Sequence, residues 1–218
     1  MPVRKIPKNY LFVTGGYSSR KNEKMDAFES PLEKEFMLLR DFDDTVKGWD
    51  PQPVRIPVPG VPRSYVPDVL IFFLPDPDTG FVRKPLLVDV KHSSDLKRNK
   101  DKYAPKFAAA RQFAEGMGWD FEIVEEPQIR TPRLDNLKFL REYRNITPTK
   151  EDVQRVLECI GDGETSSLAL LETLAPAAEE QLYWLPIIWS MLLTRHLVTD
   201  LDQPFSNDVP LRRTEDSV

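Results

Sequence analysis

The chain has 218 residues, 30 Lys and Arg against 35 Asp and Glu, and a net charge of −5. That length holds one large domain or two small ones with ample core. A single cysteine, Cys159, excludes a disulfide framework and a cysteine zinc site, and two distant histidines, His92 and His196, argue against a histidine metal centre.

No stretch approaches the apolar length of a membrane span, and Met1-Pro2-Val3-Arg4-Lys5 lacks the apolar core of a signal peptide, so a soluble, intracellular protein is expected. The charge is unevenly divided. Residues 1–147 hold 25 Lys and Arg against 22 Asp and Glu, whereas residues 148–218 hold 5 against 13.

In chain order, residues 1–9 read as a basic, mobile arm, residues 10–14 as a short strand or extended arm, and residues 15–27 as a polar loop. Gly15-Gly16 is not followed by a phosphate-loop pattern and is assigned no nucleotide. Ser30-Pro31-Leu32-Glu33 starts a helix, with Ser30 as N-cap, Pro31 at N1 and Glu33 at N3, running to about Arg40. Residues 46–49 predict a short strand. Residues 51–62 carry so many prolines that only an edge strand with a long loop fits them.

The next two apolar runs are Val69 to Leu74 and Leu86 to Val88, separated by the turn signal Asp76-Pro77-Asp78-Thr79-Gly80. They predict a hairpin of largely buried strands. Pro67-Asp68 opens the first run and Asp89-Val90-Lys91 closes the second. Residues two apart on a strand share a face, so Asp89 and Lys91 project together. A carboxylate and an ammonium at the end of an apolar strand are costly to bury unless paired or holding a metal. This Pro-Asp, then Asp-x-Lys pattern resembles the PD-(D/E)xK nuclease signature. The plainer alternative is that Asp68 caps a turn and Asp89 merely pairs with Lys91.

The segment after Lys91 is the most basic. Lys97, Arg98, Lys100, Lys102, Lys106 and Arg111 face only Asp95 and Asp101, a patch suited to phosphates or, more blandly, a solvated helix face. After a loop over residues 92–95, apolar spacing predicts a helix over 98–117, ended by Gly116 and Gly118, and residues 119–124 predict a strand. Strand, helix, strand implies a right-handed crossover and a parallel pair. Helix, three strands, helix, strand is the order of an α/β, restriction-endonuclease-like core, a central mixed sheet flanked by helices.

Thr131-Pro132 starts another helix, and Thr147-Pro148 repeats the device, setting domains of 28–146 and 147–218 behind an arm and loop over 1–27. Helices follow over about 149–160, 165–174 and 178–195. Residues 197–207 then read as a small wing, so a mostly helical, winged-helix-like domain is expected. Trp184 and Trp189 read as core, Cys159 as buried filler and His196 as a helix-end residue. The acidic composition of this half points to protein contact rather than DNA contact.

Taken as a set, Ser30-Pro31-Leu32-Glu33, Gln52-Pro53, Tyr65-Val66-Pro67-Asp68, Asp89-Val90-Lys91 and Glu126-Pro127-Gln128-Ile129-Arg130-Thr131-Pro132 resemble the N-terminal domain of the TnsA family. These are the endonuclease subunits of heteromeric transposases that act with a TnsB transposase. Asp89 stands where family members often carry Glu or Gln. The resemblance implies a DNA endonuclease in which Glu33, Asp68 and Asp89 bind Mg²⁺, or Mn²⁺ as a substitute, and Lys91 completes the catalytic set. Glu35 is the rival to Glu33 on the same helix. It further implies DNA contact by His92 and by Lys97, Arg98, Lys100, Lys102 and Lys106. The implied reaction is cleavage of the 5′, non-transferred strand at transposon ends, in the bacterial cytoplasm at the nucleoid. The implied partners are a TnsB-type transposase and, through the C-terminal domain, a TnsC-type AAA+ regulator. An autonomous restriction or repair nuclease of the same fold and a catalytically inactive scaffold stay open as alternatives.

Overall fold

The computed structural model describes residues 15–206 and 208–214. The arm and strand expected over residues 1–14 lie outside them. The chain divides into two compact units, one ending at Arg130 and one beginning at Thr131.

The first unit opens with an antiparallel pair, β1 (Gly15–Tyr17) and β2 (Asp26–Phe28). Helix α1 (Pro31–Asp41) follows, and the Ser30 side chain accepts from the Glu33 N–H while Pro31 fills N1. Its Asp41 is buried and accepts from the Tyr17 hydroxyl, Ser19 Oγ and the Arg20 N–H, which seats the β1 end against the helix.

The central sheet is built from β3 (Val46–Pro51), β4 (Val69–Phe73), β5 (Leu86–Lys91) and β6 (Asp120–Glu125), in that spatial order. The β3–β4 and β4–β5 pairs are antiparallel and β5–β6 is parallel. The expected hairpin thus forms, its turn gathered on Asp76 Oδ1, which accepts from Thr79 N–H at 2.8 Å and Thr79 Oγ1 at 2.7 Å. The parallel step needs a crossover, supplied by α2 (Ser93–Arg98) and α3 (Lys100–Gly116). Alternation sorts the strands. Leu70 and Leu87 join Phe107, Ala110 and Ala114 of α3 in one core, together with Ile56, Val58 and Tyr65 from the long loop. Asp68, Asp89 and Lys91 share that parity and so belong to the α3 side.

Four expectations change here, the first being that residues 15–27, read as a polar loop, carry β1 and most of β2. Residues 52–62 form a loop rather than an edge strand, with an isolated Ile56–Tyr65 bridge, because its prolines have no N–H to offer a ladder. The helix expected over 98–117 is α3, but residues 93–98, partly read as loop, form a separate helix ahead of it, with a break at Asn99 (φ −115°, ψ 27°). Asp95 holds the break, accepting from Asn99 Nδ2 at 2.7 Å and from the Tyr103 hydroxyl at 2.5 Å. A short helix, α4 (Glu126–Ile129), was not read from the sequence at all.

The second unit holds α5 (Pro132–Arg141), α6 (Lys150–Ile160), β7 (Glu164–Ser166), α7 (Ser167–Leu174), α8 (Ala178–Leu193), β8 (Leu197–Val198) and β9 (Pro210–Arg213). Its three strands pair antiparallel in the order β7-β9-β8. The second compact unit begins at Thr131, ahead of α5. Leu134, Leu137 and Leu140 of α5 are buried, and the helix packs on α8. The cap of α6 is Thr149, not Thr147: its hydroxyl accepts from the Asp152 N–H and Asp152 reaches back to the Thr149 N–H. Trp184 and Trp189 are buried as expected, whereas Cys159 is only half-buried. His196 lies just past the end of α8, its Nδ1 2.8 Å from Thr194 Oγ1. Among the described residues, no helix is long and apolar enough to cross a membrane.

Candidate active site

Asp68 sits one residue before β4, fixed by its own backbone. Its N–H donates to Val88 O at 3.0 Å and its carbonyl accepts from the Gln52 N–H at 2.8 Å. Its carboxylate Oδ2 accepts from the Val90 N–H at 2.7 Å. The two strands therefore clamp this carboxylate over the end of β5, where Asp89 and Lys91 emerge.

Lys91 Nζ lies 3.3 Å from Asp68 Oδ2 and 3.1 Å from Asp89 Oδ2, and donates to Val90 O at 3.0 Å. Asp89 is wholly buried at 0% exposure. Apart from the ion-pair approach of Lys91, neither of its carboxylate oxygens has a hydrogen-bond partner among the described residues. One ammonium balances one negative charge, and a second buried carboxylate is then expensive. Burial, and then the neighbouring Asp68, push Asp89 up to about 8, against the pull of Lys91. Burial disfavours the charged form of Lys91, but Asp68 and Asp89 outweigh it and raise its pKa.

Glu33 belongs to the same electrostatic cluster. Burial and then Asp68 raise it to about 7, and Lys91 opposes the shift. Its oxygens are engaged at the helix start: Glu29 N–H donates to Oε2 at 2.8 Å and the Ser30 hydroxyl to Oε1 at 3.0 Å. Glu35 is turned elsewhere, accepting from Arg130 Nε at 2.9 Å.

Residues 43–126 match the family model described as TnsA-like endonuclease N terminal. The chain carries a TnsA-like endonuclease domain. The match runs from just ahead of β3 to the start of α4, so it contains Asp68, Asp89 and Lys91 and leaves Glu33 outside. No curated protein matches the chain.

The basic residues of this TnsA-like domain are dispersed along the crossover. Lys97, Arg98, Lys100 and Lys102 are exposed on α2 and the first turn of α3, and Lys106 is half-buried with its ammonium 5.6 Å from the Tyr103 ring. His92 is already engaged, its Nδ1 2.8 Å from Glu126 Oε2. Glu126 also pairs with Arg130, which reaches Glu35, so a chain of four polar side chains links β5, α4 and α1. Sequence reasoning assigned no role to Glu126, Arg130 or Tyr65. It also missed Gln52, which is buried beside Asp68 in the left-handed region (φ 46°) with its Oε1 unpartnered. Only the Gln-Pro, Tyr-Val-Pro-Asp and Glu126-to-Pro132 motifs marked those positions.

Among the described residues, no group of three or more His, Cys, Asp or Glu side chains is gathered ready to hold a metal ion. Lys91 lies between the two aspartates, and Glu33 is turned to its own cap. The donor set nevertheless fits a hard divalent cation. It is all carboxylate, and apart from the ion pair with Lys91 the buried oxygens of Asp89 have no hydrogen-bond partner among the described residues.

Proposed function

We propose that this chain is the metal-dependent DNA endonuclease subunit of a cut-and-paste transposition system. It cleaves the 5′, non-transferred strand at transposon ends. The observation that carries the reading is the Asp68–Lys91–Asp89 constellation, with its unsatisfied buried carboxylate, inside a TnsA-like endonuclease domain.

Asp68 and Asp89 would hold Mg²⁺ or Mn²⁺, with Glu33 joining them on release from Ser30 and Glu29. A bound cation supplies an activated water and neutralises charge on the scissile phosphate. Lys91 is held by two carboxylates and a carbonyl, so it is oriented before substrate arrives. It donates to a phosphate oxygen as negative charge develops there, without reorganising. Lys97, Arg98, Lys100, Lys102 and Lys106 track the DNA backbone, and His92 contacts phosphate in exchange for Glu126.

The second unit is read as a winged helix. In support, it runs helix, strand, helix, helix, strand, strand from α6 to β9, with the last strand in the middle of the sheet. Its acidic sequence suits protein partners, here a TnsB-type transposase and a TnsC-type AAA+ regulator. The protein would work in the bacterial cytoplasm, at the nucleoid.

The test is cleavage of a duplex bearing the transposon end by the purified chain with its cognate transposase. Strand cleavage in Mg²⁺ that vanishes in chelator and in Asp89→Asn is expected, with a Mn²⁺ anomalous peak between Asp68 and Asp89 in soaked crystals. Complex formation without cleavage, and transposition indifferent to Asp89→Asn, would instead establish a scaffold.

A further inference from the structure

Two buried polar groups, the Asp89 carboxylate and the Tyr65 hydroxyl, act on each other at the candidate site. Apart from Lys91 Nζ, 3.1 Å from Oδ2, the buried Asp89 carboxylate has no donor in hydrogen-bonding geometry among the described residues, and the buried Tyr65 hydroxyl, which acts on it electrostatically, has no acceptor in such geometry there. Buried polar groups ordinarily find partners, so each such exception asks for a cause.

Tyr65 is held firmly. Its backbone exchanges both hydrogen bonds with Ile56, at 2.7 and 2.8 Å. Its ring meets Phe107 edge-on at 6.3 Å, and Phe107 in turn stacks on Tyr103 at 5.3 Å. Burial, and then the charges of Asp89 and Asp68, raise the pKa of Tyr65, so the phenol keeps its proton. In the other direction, the Tyr65 hydroxyl favours the ionised form of Asp89.

We propose that Tyr65 is a positioning residue whose hydroxyl donates to one oxygen of Asp89 and so leaves the other aimed at a metal ion. Groups that orient a ligating side chain in this way typically account for about 10–100-fold in metal affinity. The role rests on the metal-nuclease reading above. It assigns a task to the Tyr-Val-Pro-Asp segment beyond delivering Asp68.

The test is Mn²⁺ binding by titration calorimetry on the full chain, alone and with an end duplex, for the wild type, Tyr65→Phe and Asp89→Asn. Thermal melting in the absence of metal is recorded for each. Tyr65→Phe keeps the ring and its packing. The expected result is at least about tenfold weaker Mn²⁺ binding with the fold intact. A crystal structure with Mn²⁺ should show Tyr65 Oη within about 3 Å of Asp89, a hydrogen-bond distance. Wild-type affinity in Tyr65→Phe would overturn the positioning role and leave the nuclease reading standing. Absence of Mn²⁺ binding by the wild type, with and without DNA, would overturn both.

Discussion

At the scale of single residues, the site is three carboxyls around one ammonium. Glu33 and Asp89 rise from ordinary values of 4.5 and 3.8 to about 7 and about 8. Both shifts are upward, so the folded protein holds protons that the unfolded chain gives up. Their contribution to stability is complete below the unfolded values and is lost as pH rises through 7 and 8. Metal-free protein is therefore expected to melt at falling temperature across that window. Divalent cations bind only the deprotonated carboxylates, so Mn²⁺ affinity should rise over the same window and restore the melting temperature. Melting curves against pH, with and without Mn²⁺, check this; a melting temperature that climbs through the window without metal would refute it. Asp89→Asn separates stability from chemistry. It removes a buried charge, so the metal-free variant should be at least as stable as the wild type at alkaline pH and show a flatter pH profile. Cleavage should fall by about 100-fold or more, in line with the loss of a group that stabilises transition-state charge.

At the scale of elements, legibility in the sequence followed the range of the interactions. Ser30-Pro31 with Glu33 announced α1 because capping is settled within four residues, and the hairpin was announced by Asp76 and Thr79 for the same reason. The break at Asn99 was hidden. It depends on Asp95 collecting Tyr103 from the next two turns, which no apolar spacing reports. Thr149 was hidden behind the more conspicuous Thr147-Pro148, although Asp152 three residues on was the signal for its capping box. Arg130 was hidden because its partner, Glu35, is remote in sequence. The cap on α1 has a double role. Ser30→Ala should cost about 1 kcal/mol, read by urea denaturation, and also strip the hydroxyl from Glu33 Oε1. The basic crossover makes its own prediction. Lys100→Ala with Lys102→Ala should weaken end-duplex binding without regard to sequence and reduce the slope of log affinity against log salt by about 2. An unchanged slope would make these lysines a solvated face.

At the scale of the whole molecule, the question is where one folding unit stops. Thr147-Pro148 offered a boundary on local grounds, but α5 is committed to the unit that follows it. Asn136, buried at 4% exposure, donates to Leu201 O at 2.8 Å and Gln203 O at 2.7 Å and accepts from the Phe205 N–H at 3.1 Å. One amide thus ties α5 to the segment after β8. Phe139 meets Trp189 at 5.3 Å and Phe205 at 6.1 Å, and Leu134, Leu137 and Leu140 are buried beside them. A single core Leu→Ala costs about 2–5 kcal/mol. A whole domain has only about 5–15 kcal/mol of stability. A fragment of residues 147–218 would lose three such leucines at once and expose Trp189, so it should not unfold cooperatively. A fragment of residues 131–218 keeps the Thr131-Pro132 start of α5 and every partner of Asn136, and should melt in a single transition. Circular dichroism melts of the two fragments decide the matter. If both melt alike, α5 is dispensable to the second unit, and the boundary belongs at residue 147 after all.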